Sequence, residues 1–144
     1  MTNDYMYKFN QIISKNGYRL TKSREETFKA LLDTEPQPIS NIISRTSGKV
    51  DRVSVYRNIE LFEKLGIVNR INTGWKYKLE LSDNFIIHHH HVVCERCGET
   101  KEIKNNQIEE IMDKICRDNG LVPTKHHFEL FGICSSCDES RKPL

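Results

Sequence analysis

The chain lacks any apolar run approaching the roughly 18 residues that suggest a membrane span, and 29% of its 144 residues are charged. Its opening residues, "MTNDYMYKFNQ", are too polar for a secretory signal. These absences lead us to expect a cytoplasmic protein with no membrane partner. Histidine and cysteine are both missing from the first 87 residues. All six histidines (88–91, 126, 127) and all five cysteines (94, 97, 116, 134, 137) follow. The H-E-x-x-H signature is missing too, as is the H-x-E with P-C-x-x-C arrangement of zinc deaminases. That argues against an enzyme. A zinc-dependent hydrolase built from His88, His90 and His126 around a water, with Glu109 as general base, is conceivable. It would leave the first half of the chain without a task.

What is present divides in two. The formal net charge of +2 conceals a basic part, residues 1–83, with 14 Lys and Arg against 10 Asp and Glu. Residues 84–144 are acidic, with 8 against 10. Hydrophobic content of 37% suits a foldable chain of one ordinary or two small domains.

The basic part reads as a DNA-binding module. "YMYKFNQIISKNG" carries apolar residues at helical spacing, and Gly17 suits a C-terminal cap. Thr21 caps "KSREETFKALLD". A short helix "ISNIISRT" follows, then "DRVSVYRNIELFEKLG", with Val55, Ile59 and Phe62 on one face. "IVNRI" and "WKYKLEL" around "NTG" form a hairpin. Helices, a turn and a hairpin in this order make a winged helix-turn-helix. Its second helix presents its N-terminal residues to base edges in the major groove. Those residues are Asp51, Arg52, Ser54, Tyr56 and Arg57. Arginines can neutralise phosphate or pair with guanine, and the Tyr56 ring suits a thymine methyl. Lys15, Arg19, Lys22 and Arg24 add backbone contacts. Taken singly, each is equally readable as an ordinary surface residue.

The second part reads as a metal-binding module. Cys94/Cys97 and Cys134/Cys137 form two Cys-x-x-C pairs, which in a reducing compartment point to a metal. Two such turns complete a closed four-cysteine zinc site with no open position for water, so its role is structural. Cys116, beside Met112 and Ile115 on the helix "NQIEEIMDKICRDNG", is expected in the core, with a redox thiol as the alternative. "HHHHVVC" reads as a strand running into a zinc knuckle, with "ETKEI" as the returning strand. Successive strand side chains face opposite ways, so His88 and His90 separate from His89 and His91. The run is two interleaved His-x-His pairs for two sites, or one site with solvated neighbours. Glu109 on the helix and His126 and His127 on a strand "TKHHFELFGIC" are available to complete them.

In this order, "GYRLTKSR", "SVYRNIELFEKLGIVNR", "YKLEL", "HHHHVVCERCGET", the helix bearing Glu109 and "HHFELFGICSSC" resemble the ferric uptake regulator family of bacterial metal-dependent repressors. The resemblance runs over roughly residues 10–137. It implies an α+β chain: a winged-helix domain (1–81), a hinge (82–87) and a small α/β dimerisation domain (88–144). It further implies a homodimer that binds AT-rich inverted repeats in double-stranded DNA when a regulatory divalent metal is present, usually repressing transcription. By this resemblance Cys94, Cys97, Cys134 and Cys137 hold structural Zn2+. Tyr56 and Arg57 match the recognition helix, Glu80, His89 and His91 a regulatory site near the hinge, and His88, His90, Glu109 and His126 a second metal site.

The chain departs from the family pattern in two places. Gln37 in "EPQPIS" stands where iron and peroxide sensors of the family usually have a histidine, leaving Glu35 and Asp83 as candidates to close the hinge site. The hinge is also about two residues longer than usual, which makes Asp83 a rival to Glu80. His90 stands where iron sensors often carry Asp, and a nitrogen-rich donor set leans towards Zn2+ over Fe2+ or Mn2+. That lean favours the zinc-sensing branch, although zinc sensors commonly have a cysteine where this chain has Glu80. A peroxide-sensing regulator of the same family is the competing expectation. The missing N-terminal histidine and Glu in place of Asp at position 80 weaken it.

Overall fold

The computed structural model describes residues 2–32, 35–74 and 76–139, which divide into two compact units, Met1–Ile87 and His88–Leu144. Asp33, Thr34 and Trp75, which fall within the expected second helix, the loop after it and the hairpin, lie outside the described residues. Among the described residues no helix is long and apolar enough to cross a membrane.

The first unit runs α1 (Thr2–Lys15), α2 (Lys22–Lys29), α3 (Ile39–Arg45), α4 (Arg52–Lys64), β1 (Val68–Asn72) and β2 (Tyr77–Leu81). Side-chain caps set two of the helix starts. Thr21 Oγ1 accepts from the Arg24 N–H (3.2 Å), and Asp51 accepts from the Ser54 N–H (2.9 Å). Gly66, with φ +67, ends α4 in a conformation other residues avoid, and β1 begins two residues later. β1 and β2 pair antiparallel from Val68↔Leu81 to Asn72↔Tyr77, the wing of the expected motif.

Apolar side chains at helical spacing meet in one core. Phe9 of α1 stacks on Phe28 of α2 (centroids 4.2 Å) and meets Phe62 of α4 edge-on (5.3 Å). All three are fully buried, with Ile13, Leu31, Ile42, Val55 and Ile67. Each such side chain contributes about 1.5–3 kcal/mol. One polar cluster sits within this core: Asn58 Nδ2 donates to Thr27 Oγ1 (2.9 Å) and Ser23 Oγ (3.0 Å), fixing the rotation of α4 against α2.

The segment expected as a hinge, 82–87, packs in large part onto this unit. Ser82 Oγ and Asn84 Nδ2 both donate to the Gly66 carbonyl (2.6 and 3.1 Å). Phe85 is buried against Phe28 (5.1 Å) and Tyr5 (6.5 Å).

The second unit contains β3 (His90–Cys94), β4 (Thr100–Ile103), α5 (Asn106–Asp118) and β5 (Glu129–Gly132). The sheet order is β4-β3-β5, with β4 antiparallel and β5 parallel to β3. Both expected strands are shorter than the sequence suggests: His88 and His89 precede β3, and His126 and His127 precede β5. Cys116 is not a core residue as expected. It is only half-buried, and α5 has no buried residue among those described. Ile111 and Ile115 of α5 and Leu130 and Phe131 of β5 are instead all about half exposed or more. The unit's apolar residues outnumber what its own small core can cover.

Candidate metal centres and nucleic-acid interface

The four paired cysteines converge because two knuckles close beside each other. The Gly98 N–H donates to the Cys94 carbonyl (2.8 Å), while the Cys137 and Asp138 N–H groups donate to the Cys134 carbonyl. Parallel pairing of Cys94 with Gly132 brings the two turns together. All four sulfurs lie within 4.8 Å of one another, with Cys97 and Cys134 3.7 Å apart. A tetrahedron with Zn–S bonds near 2.3 Å has edges of about 3.8 Å, so this donor set fits zinc. The backbone N–H of Cys134, donating to Cys94 Sγ at 3.4 Å, together with that of Cys97, draws the Cys94 thiol down to about 6. Hydrogen bonding with the Cys134 sulfur pushes the Cys137 thiol up to about 12. Four crowded sulfurs cannot all ionise without a cation among them. Arg96 Nη1 donates to the Cys137 carbonyl (2.5 Å) and ties one knuckle to the other.

The histidine run divides as strand alternation requires, although only its second half is in the strand. On one side, His88, His90, Glu109 and His126 have donor atoms within 4.8 Å of one another. His90 Nε2 lies 2.5 Å and His126 Nε2 3.0 Å from the Glu109 carboxylate, and His88 Nε2 lies 3.0 Å from His126 Nε2. Zinc–nitrogen and zinc–oxygen bonds near 2.0–2.1 Å give tetrahedral edges of about 3.3 Å, comparable with these spacings. Burial raises the Glu109 carboxyl, but the His90 hydrogen bond and the charges of His126, His88 and His90 outweigh it, leaving the group below its usual range. His127 is exposed and outside the cluster.

On the other side, His89 Nε2 and His91 Nε2 approach to 3.1 Å. Glu102 pairs with His91 across β3 and β4. Its carboxyl is held low by the Lys104 hydrogen bond, with His89 and His91 adding their charge. Sequence reasoning passed over Glu102, yet counting the antiparallel register through the Cys94–Gly98 knuckle would have found it.

Glu80, the acidic partner expected for this pair, belongs to the first unit. It is buried in β2 opposite Asn69. Gln37 pairs its backbone with Leu79, next to Glu80, through N–H···O bonds of 3.0 and 2.7 Å, and its Nε2 donates to the Ala30 carbonyl (3.3 Å). Positions 37 and 80 are therefore neighbours. Asp83 and Glu35, the rival ligands, are both exposed.

The candidate nucleic-acid surface is the outer face of α4. Arg52, Tyr56 and Arg57 are exposed, with the Arg52 guanidinium 5.8 Å from the Tyr56 ring centroid. Ser54 is half-buried, and its hydroxyl donates to Asp51 (2.6 Å), completing the helix cap. Lys15 and Arg19 are exposed, and Arg24 donates to the Arg19 carbonyl. Lys22 is also exposed.

A model of the ferric uptake regulator family matches residues 15–131. The ferric uptake regulation protein of Neisseria meningitidis serogroup A is 31% identical over 148 residues, covering 95% of this chain and 99% of that protein. The crystal structure of the Vibrio cholerae ferric uptake regulator superposes with a TM-score of 0.71 at 27% identity, covering 87% of this chain and 98% of that one. The Helicobacter pylori ferric uptake regulator, described as having three functional metal binding sites, gives 0.79 at 22% identity over 99% and 97% of the two chains. That last likeness concerns the fold alone.

Proposed function

Because the chain belongs to the ferric uptake regulator family, whose members are DNA-binding, metal-responsive, dimeric transcription regulators and not enzymes, we propose that it represses metal-homeostasis genes when its regulatory metal is abundant. The observation that carries this reading is the division of His88–His91 between two donor clusters, His88 Nε2 lying 3.0 Å from His126 Nε2 on one side and His89 Nε2 3.1 Å from His91 Nε2 on the other. One short segment thereby offers ligands to two metal sites. A divalent cation supplies the positive charge around which imidazoles and carboxylates can gather.

We assign structural Zn2+ to Cys94, Cys97, Cys134 and Cys137. His88, His90, Glu109 and His126 form a second site in the dimerisation unit. Glu80, His89 and His91 form the regulatory site, and Glu102, which lies opposite His91 in the strand register, is a further candidate oxygen donor. Three imidazoles and one carboxylate at the second site favour Zn2+ over Fe2+ or Mn2+, and the same lean extends to the effector. Glu80 lies in the wing of the DNA-binding unit and the histidines in the other. Metal binding there favours one arrangement of the two DNA-reading heads over others, and the operator selects the same arrangement. Metal and DNA thus strengthen each other's binding. A symmetric dimer calls for an inverted-repeat operator, and the family resemblance implies that it is AT-rich.

The test is duplex binding measured against buffered Zn2+, Fe2+ and Mn2+, for the wild type and for His89→Ala/His91→Ala. The expected result is tight binding only above a threshold of one metal, lost in the double variant. Equal, metal-independent binding by both proteins would sink the regulatory assignment.

A further inference from the structure

On the outer face of α4 stands a side chain that neither the core nor the metal sites account for. Val53 is 58% exposed. The helix buries Val55, Ile59 and Phe62, and Leu61 packs partly against the same core. Val53 and Tyr56 are the apolar side chains of α4 outside that core, and Tyr56 is 38% exposed. Three residues apart on a helix, they are surface neighbours. Arg52, Arg57 and Lys49, all exposed, lie close to them in the chain.

A single exposed valine is ordinary on a protein surface. This one sits in the first turn of the second helix of a helix-turn-helix, the turn whose side chains approach base edges. Its direction is also fixed. The Asp51 cap sets where the helix starts, and the buried Asn58 bonds to Thr27 and Ser23 set its rotation. A β-branched side chain adds little to an exposed helix position, where alanine is the better helix former. What it offers outwards is a rigid, branched apolar surface among cations. In the major groove of DNA the one exposed apolar group is the C5-methyl of thymine, lying between phosphate rows that cations neutralise.

We propose that Val53 is a specificity-determining residue that packs on a thymine methyl in each half-site. This rests on the DNA-binding reading above and adds a base preference to it. Ser54 cannot take this part, since its hydroxyl is held by Asp51. Tyr56 is a second apolar contact, set one helical step further along.

The experiment begins by enriching bound duplexes from a random-sequence pool with the full-length protein, using Zn2+, Fe2+ and Mn2+ in separate selections. Each thymine of the enriched duplex is then replaced in turn by uracil, which removes the methyl and leaves the pairing edge intact. At one thymine per half-site, uracil should weaken wild-type binding about fourfold, the effect of one buried methyl. Val53→Ala removes the contact in both half-sites, so it should weaken binding to the thymine duplex by about the square of that factor, roughly sixteenfold, and become indifferent to uracil at that position. Tyr56→Phe should keep the wild-type sensitivity there. If Val53→Ala remains as sensitive as the wild type at every thymine, or if no thymine is sensitive, this assignment falls and the regulator reading stands. If no duplex is enriched with any of the three metals, both fall. Val53 is exposed and alanine suits a helix, so an unchanged thermal midpoint checks that the variant is folded.

Discussion

At the scale of single residues, Asp51 illustrates how a side chain can do two things through one contact. Its carboxylate accepts from both the N–H and the hydroxyl of Ser54, and these bonds hold its pKa below the ordinary 3.8. A depressed folded-state pKa contributes stability above the unfolded value and loses it as pH falls through the folded one. Asp51→Ala should therefore melt at a lower temperature than the wild type near neutrality, and the gap should narrow once the pH drops below 3.8. Paired circular-dichroism melts across acid pH would measure this; a gap independent of pH would contradict it. The donor types at this scale were largely legible in the chain. Two-residue alternation separated His88 and His90 from His89 and His91, and the Cys-x-x-C spacings named the zinc knuckles. Glu102 was not legible in the same way. Its place opposite His91 depends on strand register across a knuckle, a relation between segments rather than within one. The part Ser54 plays in the helix cap was not legible either, because it depends on a hydroxyl–carboxylate bond that forms only once the helix start is built.

At the scale of elements, the starts of α2 and α4 followed their side-chain caps, whereas α2 ends at Lys29, before Leu31 and Leu32 of the expected segment, and the wing followed its turn. The strands fell short of their apolar patterns. His88 and His89 keep the alternation of β3 without pairing in it, and His126 reaches its cluster from the chain before β5. Cys116 shows the limit of pattern reading more sharply. Its helix has the spacing of a core element, yet among the described residues none on α5 is fully buried, and Cys116 is half-buried. Between α2 and α4 the decisive contact is polar. Asn58→Ala should cost about 1–3 kcal/mol by leaving Thr27 and Ser23 without their shared donor. Denaturant unfolding would show it as a lower midpoint with an unchanged slope. A cost well below this range would mean that apolar packing alone fixes the recognition helix.

For the molecule as a whole, the second unit leaves β5 at the edge of its sheet, with Leu130, Phe131 and Ile133 each close to half exposed. An open apolar edge is a pairing surface, and the family's dimeric habit supplies the partner. Phe131→Asp should shift the protein from dimer to monomer in sedimentation and weaken operator binding, while leaving the first unit's melting unchanged. A persistent dimer would move the interface elsewhere. The fastening of Ser82, Asn84 and Phe85 onto the first unit has a further consequence. The backbone N–H of Ile86 still bonds to Ser82, and His90 already lies in β3, four residues further along the chain. Fully extended, its Cα atoms from Ile86 to His90 span at most roughly 14 Å. On the proposed reading that Glu80 shares the metal of His89 and His91, so short a leash would give Glu80 a high effective concentration there. Lengthening it with a dozen glycine and serine residues between Ile87 and His88 should dilute that advantage about eightfold. More metal would then be needed to half-saturate the operator, with both units as stable as before. An unchanged metal requirement would mean that the two units do not share the ion.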